Sequence, residues 1–310
     1  MKVLALVAVL VAGSASAQDR MSSAQCTESF NAVASLVALS IDAPDIAVTD
    51  DTWCSVSSAQ IEVDTDFVLQ IGTLRWRASD MDRFLNEGLP PRAVEIEVTG
   101  VQVLPQTGDP VLDYLLALQR SRSSIAFGLD VKWDGVQNAI TVEDTFFAFD
   151  PTNRIEINAL IDGANLTDTG TMQALLGTAG LRDLTMKADF DGWFETYVAL
   201  TIGQTFLRAG DVTPQAQVEA LKRQAIAFVE QLPDTFMPAP SRAAVSEFVI
   251  ALPTPRGTAQ AQIAADPILG AARMVPLGLA GRDATPLEII ETALDGVTML
   301  FTWTPSGDAE

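Results

Sequence analysis

From Ile125 to Trp133 every second residue is apolar: Ile125, Phe127, Leu129, Val131 and Trp133. Strict alternation of this kind predicts a strand that turns one face towards apolar matter and the other towards water. The same signal recurs. Between Ile61 and Ile71 the odd positions Ile61, Val63, Phe67, Leu69 and Ile71 are apolar, while Glu62, Asp64, Asp66 and Gln70 fall opposite, which predicts one strand of eleven residues. Val94, Ile96 and Val98 alternate, and the phase then slips to Val101 and Val103 at Gly100, where a bulge is expected. A strand over 139–149 changes phase between Glu143 and Phe146, so a second bulge is expected there. Asp150-Pro151 suits a type I turn, and Ile155, Ile157, Ala159 and Ile161 complete an antiparallel meander. Further strands are expected over 184–190, near 245–252, over 257–264 and over 297–303.

Helical spacing appears between these groups. Ser22 or Ser23 can cap a helix holding Cys26, Phe30, Val33, Val37 and Ile41. Residues 192–208 are apolar on all sides, which predicts a buried helix. Thr213-Pro214 opens an amphipathic helix with Val218, Leu221, Ala225, Phe228 and Leu232 on one face and Pro233 after it. Thr285-Pro-Leu-Glu288 is a capping box. With a helix over 110–120, five helices (26–40, 110–120, 192–208, 214–232, 286–294) are on hand to cover a sheet. The expected fold class is therefore α+β, a mainly antiparallel, long-stranded, bulged sheet packed by about five helices. The expected organisation is a β-rich half over 18–180 and a helix-richer half over 181–310, both on the same sheet.

The N-terminus changes the picture of where the chain works. Lys2, an apolar run over 3–12 and Ala15-Ser-Ala17 read as a signal peptide over 1–17, cleaved after Ala17. The mature chain is then expected to be soluble and periplasmic or secreted, with no transmembrane segment. Its two cysteines, Cys26 and Cys54, are expected to pair in an oxidising compartment. A formal charge of −21 over 310 residues speaks against nucleic acid and anionic membrane faces as partners.

Candidate chemistry is defined mostly by what is missing. The chain has no histidine, which removes Ser-His-Asp and Cys-His arrangements and imidazole-held metals. No phosphate loop or dinucleotide fingerprint is present, and no calcium loop, so no cofactor or metal is expected. Carboxylates remain, with Asp189, Asp191 and Glu195 the densest group and Asp64/Asp66 another. Both pairs alternate against apolar neighbours and read as solvated faces. No motif places the chain in a named family. Its long hairpin-linked strands resemble, in outline alone, the extended sheets along which some envelope proteins hold lipids.

These readings point to a non-catalytic exported protein that binds or carries an apolar, lipid-like molecule. Phe127, Leu129, Trp133, Trp193 and Tyr197 are the candidate ligand contacts. An acidic assembly protein with a protein partner is the alternative, and a carboxylate-dependent hydrolase the second alternative.

Overall fold

The computed structural model describes residues 21–36, 40–42, 46–49, 52–64, 67–105, 108–109, 111–112, 125–208, 212–273 and 294–307. The expected signal segment lies outside them, as do residues 113–120 and 286–293 of two expected helices.

Eleven strands form one antiparallel sheet: β1 (Ser40–Asp42), β2 (Ala47–Val48), β3 (Cys54–Asp64), β4 (Phe67–Ser79), β5 (Ala93–Pro105), β6 (Ile125–Asp134), β7 (Ala139–Ala148), β8 (Arg154–Asp162), β9 (Gly180–Asp191), β10 (Arg256–Gly270) and β11 (Val297–Pro305). From β3 to β11 each strand pairs with the next in the chain. The short β1 and β2 both pair with β3. The helices whose bounds fall within the described residues are α1 (Ser23–Leu36), α2 (Thr169–Gln173), α3 (Leu175–Thr178), α4 (Ala199–Phe206), α5 (Pro214–Glu230) and α6 (Ala239–Ala251), with π-helical turns at Arg83–Glu87 and Phe194–Val198.

The expected fold class needs correction. The molecule is a ten-strand antiparallel ladder with β2 beside it, and cover by about five helices is not what the described residues show. Among the described residues the helices are short; α2 and α3 sit in the β8–β9 connection, and the others gather at the two ends of the sheet. α1 and the Arg83–Glu87 turn pack at the β3–β5 end, and α6 packs on β11 with α5 behind it. Residues 192–208 do not make one buried helix. They break into a π-helical turn and α4, and Tyr197, Ile202 and Phe206 are exposed. Their all-round apolar character serves two neighbours, the sheet end on one side and a helical cleft on the other.

Two strand expectations also change. Residues 61–71 are not one strand, because the chain reverses between Asp64 and Phe67, which face each other across the β3–β4 hairpin. Ile61 pairs with Leu69, so the alternation is real but folded back on itself. The strand expected near 245–252 is α6. Val245, Phe248, Val249 and Leu252 recur at helical spacing, and Pro238 and Pro240 suit the first turn of a helix.

The local signals that hold are those with a mechanism at hand. Ser22 Oγ accepts from Gln25 N at 3.2 Å while Gln25 Oε1 accepts from Ser22 N at 2.9 Å, a reciprocal cap for α1. Thr213 Oγ1 accepts from Ala216 N at the start of α5. Cys26 and Cys54 are disulfide-bonded, tying α1 to the first residue of β3. The bulge expected between Glu143 and Phe146 is present as a register shift between these two residues against β6, and between Val142 and Thr145 against β8.

The slip at Gly100 is shared by three strands. Gly100 sits at φ 68°, and a Cβ on it would stand 3.1 Å from Gly72 Cα. At this level the inward positions move from Val56 to Ala59 in β3, from Leu74 to Ile71 in β4 and from Val98 to Val101 in β5. All six lie in or against one cluster. The three strands thus change phase together and keep their apolar side chains on one face.

Candidate functional site

The register places apolar side chains in rows that cross the sheet. Val56, Leu74, Val98, Phe127, Phe147, Ile155, Ala188, Ala259 and Trp303 are successive partners from β3 to β11. A second row runs Ala78, Val94, Val131, Val142, Ala159, Leu184, Ile263 and Met299. At about 4.8 Å between strands the first row spans roughly 38 Å. On the opposite face one line of partners runs Arg75, Glu97, Gly128, Phe146, Glu156, Lys187, Gln260 and Thr302, polar but for Gly128 and Phe146. Ion pairs such as Arg75–Glu97 at 2.6 Å and Arg77–Glu95 at 2.5 Å hold it. Trp53 lies buried on this polar side under the guanidinium groups of Arg75 and Arg77, 4.6 and 4.7 Å from its ring centroid.

The apolar face is closed at its ends and half-open in the middle. Val56 is buried at one end of the long row, and Ala188, Ala259 and Trp303 are buried at the other. Between them Val98, Phe127, Phe147 and Ile155 keep partial exposure. So do Leu129, Val131, Val142, Ile157 and Ala159, and Met186 is 40% exposed. An apolar side chain gains about 25 cal/mol for each Å² removed from water, so a surface of this kind is stabilised by any hydrocarbon laid against it.

A cavity of about 260 Å³ adjoins this surface at the β4–β5 end, under α1. Phe30 and Val33 of α1, Trp76 of β4, Phe84, and Val94 and Ile96 of β5 line it. The Trp76 indole is fixed by donating to Ser29 Oγ at 3.1 Å. Val94 and Ile96 pair with Val131 and Leu129, so the cavity wall continues into β6 without an intervening polar side chain.

Four of the five candidate contacts fall along this face. Phe127 and Leu129 are in its half-open centre. Phe147, the partner of Phe127, meets Phe149 edge-on at 4.7 Å. Phe149 stacks on both Trp193 and Tyr197 at 4.8 Å. Trp193 is pinned by its indole N–H donating to Asp189 O, whereas Tyr197 stands at the exposed margin. Trp133 is separate from them. It is buried at the end of β6, donates to Ala164 O at 2.8 Å and is covered by Arg83 and Arg92. Phe30, Trp76, Phe84, Val94 and Ile96 are absent from the sequence-based candidates. Their helical and alternating spacing is the signature of a core, and nothing in one sequence separates a filled core from a lined cavity.

The carboxylates take the other side. Asp189 accepts from Thr258 Oγ1 at 2.7 Å and pairs with Lys187 at 3.4 Å on the polar face, and Asp191 stands 3.9 Å from Arg256. Lys132 bridges Asp130 at 3.1 Å and Glu143 at 2.9 Å. Burial lifts the Asp130 carboxyl above its ordinary value despite the hydrogen bond and charge of Lys132. The side chains of Asp64 and Asp66 lie outside the described residues. Among the described residues no group of three or more carboxylate or thiol ligands is placed to hold a metal ion. No family model matches the chain, and neither a curated protein nor a solved structure is significantly similar to it.

Proposed function

We propose that this chain is an exported, non-catalytic protein of the cell envelope that binds or carries a long apolar molecule of lipid type along the apolar face of its sheet. The observation that supports this most directly is the pair of apolar rows, continuous over eight and nine strands and half-open at their centre. A protein that used this face only as a core would gain by covering it, as both ends are covered. The wholly apolar lining of the α1 cavity suits the end of a hydrocarbon chain, and Phe127, Leu129, Trp193 and Tyr197 would lie beside the same ligand. Trp133 is better assigned to holding the end of β6. An address outside the cytoplasm is supported by the Cys26–Cys54 disulfide and the signal-like N-terminus. Among the described residues no helix is long and apolar enough to cross a membrane.

The test is native mass spectrometry of the mature protein purified without detergent, beside the variant Phe127→Asp. A mass excess that is released on denaturation, identified as lipid and lost in the variant is the expected result. The variant should stay folded by circular dichroism, because position 127 is only half-buried. A clean mass for the wild type after incubation with excess phospholipid would end this reading.

A further inference from the structure

At the far end of the sheet α4, α5 and α6 meet in a cleft of about 390 Å³, lined by Phe194, Ile202, Phe206, Leu221 and Val249 among others. Its charged member, Lys222, is already engaged, donating to Ile250 O at 3.1 Å and pairing with Glu219 at 3.0 Å. The rim projects outward: Ile202, Phe206 and Ile250 are 45%, 58% and 62% exposed. α4 itself, ALTIGQTF, has no charged side chain. From Thr196 to Val218 the sequence holds one arginine, Arg208, and one acid, Asp211, a neutral stretch in a chain of −21. Phe194 connects this cleft to the sheet, because it also packs against the Phe190, Trp193 and Trp303 cluster at the end of the apolar face.

We infer that the α4–α6 face docks on a zwitterionic bilayer and is the entrance through which hydrocarbon reaches the sheet. The inference rests on the lipid-binding reading above and adds where the exchange takes place. Exposed apolar side chains on a short, uncharged helix gain by entering the headgroup–acyl boundary, and Tyr197 at the same margin suits the interfacial depth. The charge balance selects the bilayer. A neutral patch meets a zwitterionic surface without cost, whereas the acidic remainder of the molecule is repelled by an anionic one within a Debye length of about 8 Å. Attachment by apolar insertion is also insensitive to salt.

The experiment is flotation of the full mature chain with phosphatidylcholine vesicles, and with vesicles in which part of that lipid is replaced by phosphatidylglycerol. The protein should float with the first at low and high salt and less well with the second. Phe206→Asp should weaken flotation by about tenfold or more. Val136→Asp, at a site that is 93% exposed in the β6–β7 turn, should leave it unchanged. Absence of flotation, equal loss in both variants, or self-association through this face without flotation would each overturn the inference. Native mass spectrometry separates the two claims. A Phe206→Asp protein that no longer floats and takes up lipid from vesicles more slowly than the wild type supports the entrance, and one that loses flotation yet loads lipid normally overturns it. A wild type that floats but never carries lipid defeats the carrier reading and the entrance while leaving the docking itself intact.

Discussion

Asp150 shows how one side chain sets a corner of the sheet. Its carboxylate accepts from Thr152 N at 2.8 Å, Thr152 Oγ1 at 2.9 Å, Asn153 N at 2.9 Å and Asn153 Nδ2 at 2.6 Å. Asn153, almost fully buried, in turn accepts from Asp191 N at 2.6 Å and so links the β7–β8 turn to the end of β9. Burial alone would raise the Asp150 carboxyl, but these donors outweigh it and hold it below the ordinary carboxylate value. Its contribution to stability is therefore complete above the unfolded value of about 3.9 and is lost as pH falls through the lower folded value. Asp150→Ala should cost on the order of 1 kcal/mol at neutral pH. Urea titrations should show that deficit shrinking in strong acid, and a constant deficit at all pH would refute the assignment. The Asp-Pro turn was legible from residue types, because Asp at the first position and Pro at the second carry their own conformational preference. The part played by Asn153 was not, since its partner lies 38 residues away.

The ends of the sheet are managed by elements. β11 would present an unpaired edge, but Met299 N donates to Phe236 O at 2.6 Å and Phe301 N donates to the buried Ser241 Oγ at 3.0 Å. α6 and the segment before it thus occupy donors that another chain could otherwise pair with. Ser241→Ala should leave the Phe301 amide without that partner, at about 1–2 kcal/mol, and should raise light scattering at high protein concentration. Unchanged stability and scattering would remove Ser241 from this role. At the other edge β1 and β2 are three and two residues long, and the disulfide binds α1 beside them. Replacing Cys26 and Cys54 by Ser frees a loop of 28 residues and should cost about 3–4 kcal/mol on the chain-entropy account, read as a lower urea midpoint. The strands were legible because alternation survives wherever one face is apolar. The helices capped at Ser22 and Thr213 were legible too, but those at 192–208 and 245–252 were not, because apolar spacing there is shared by a buried element and by one that borders an open cleft. Tertiary context alone decides between them.

For the molecule as a whole, the candidate site was half legible. Alternation identified β6 and its Phe127 and Leu129, while the cavity beneath α1 and the continuity of the rows exist only once nine strands are set in register. Trp133, the largest residue of the pattern, stands at the end of β6, where it is held by Ala164 O and two arginines that no local rule brings together. The order of the strands has a consequence for how the protein is made. From β3 onward every strand pairs with the one that the chain supplies next, so a polypeptide emerging N-terminus first can lengthen its sheet one strand at a time. Contacts as close in sequence as those of the β3–β4 and β6–β7 hairpins favour rapid folding, whereas β10 has to find β9 across residues 192–255. Until β11 arrives and the α6 side closes over it, however, the growing sheet offers a bare edge and a broad greasy face. At that stage it is most vulnerable to neighbouring chains, and a stalled or truncated product is the form a chaperone would have to intercept.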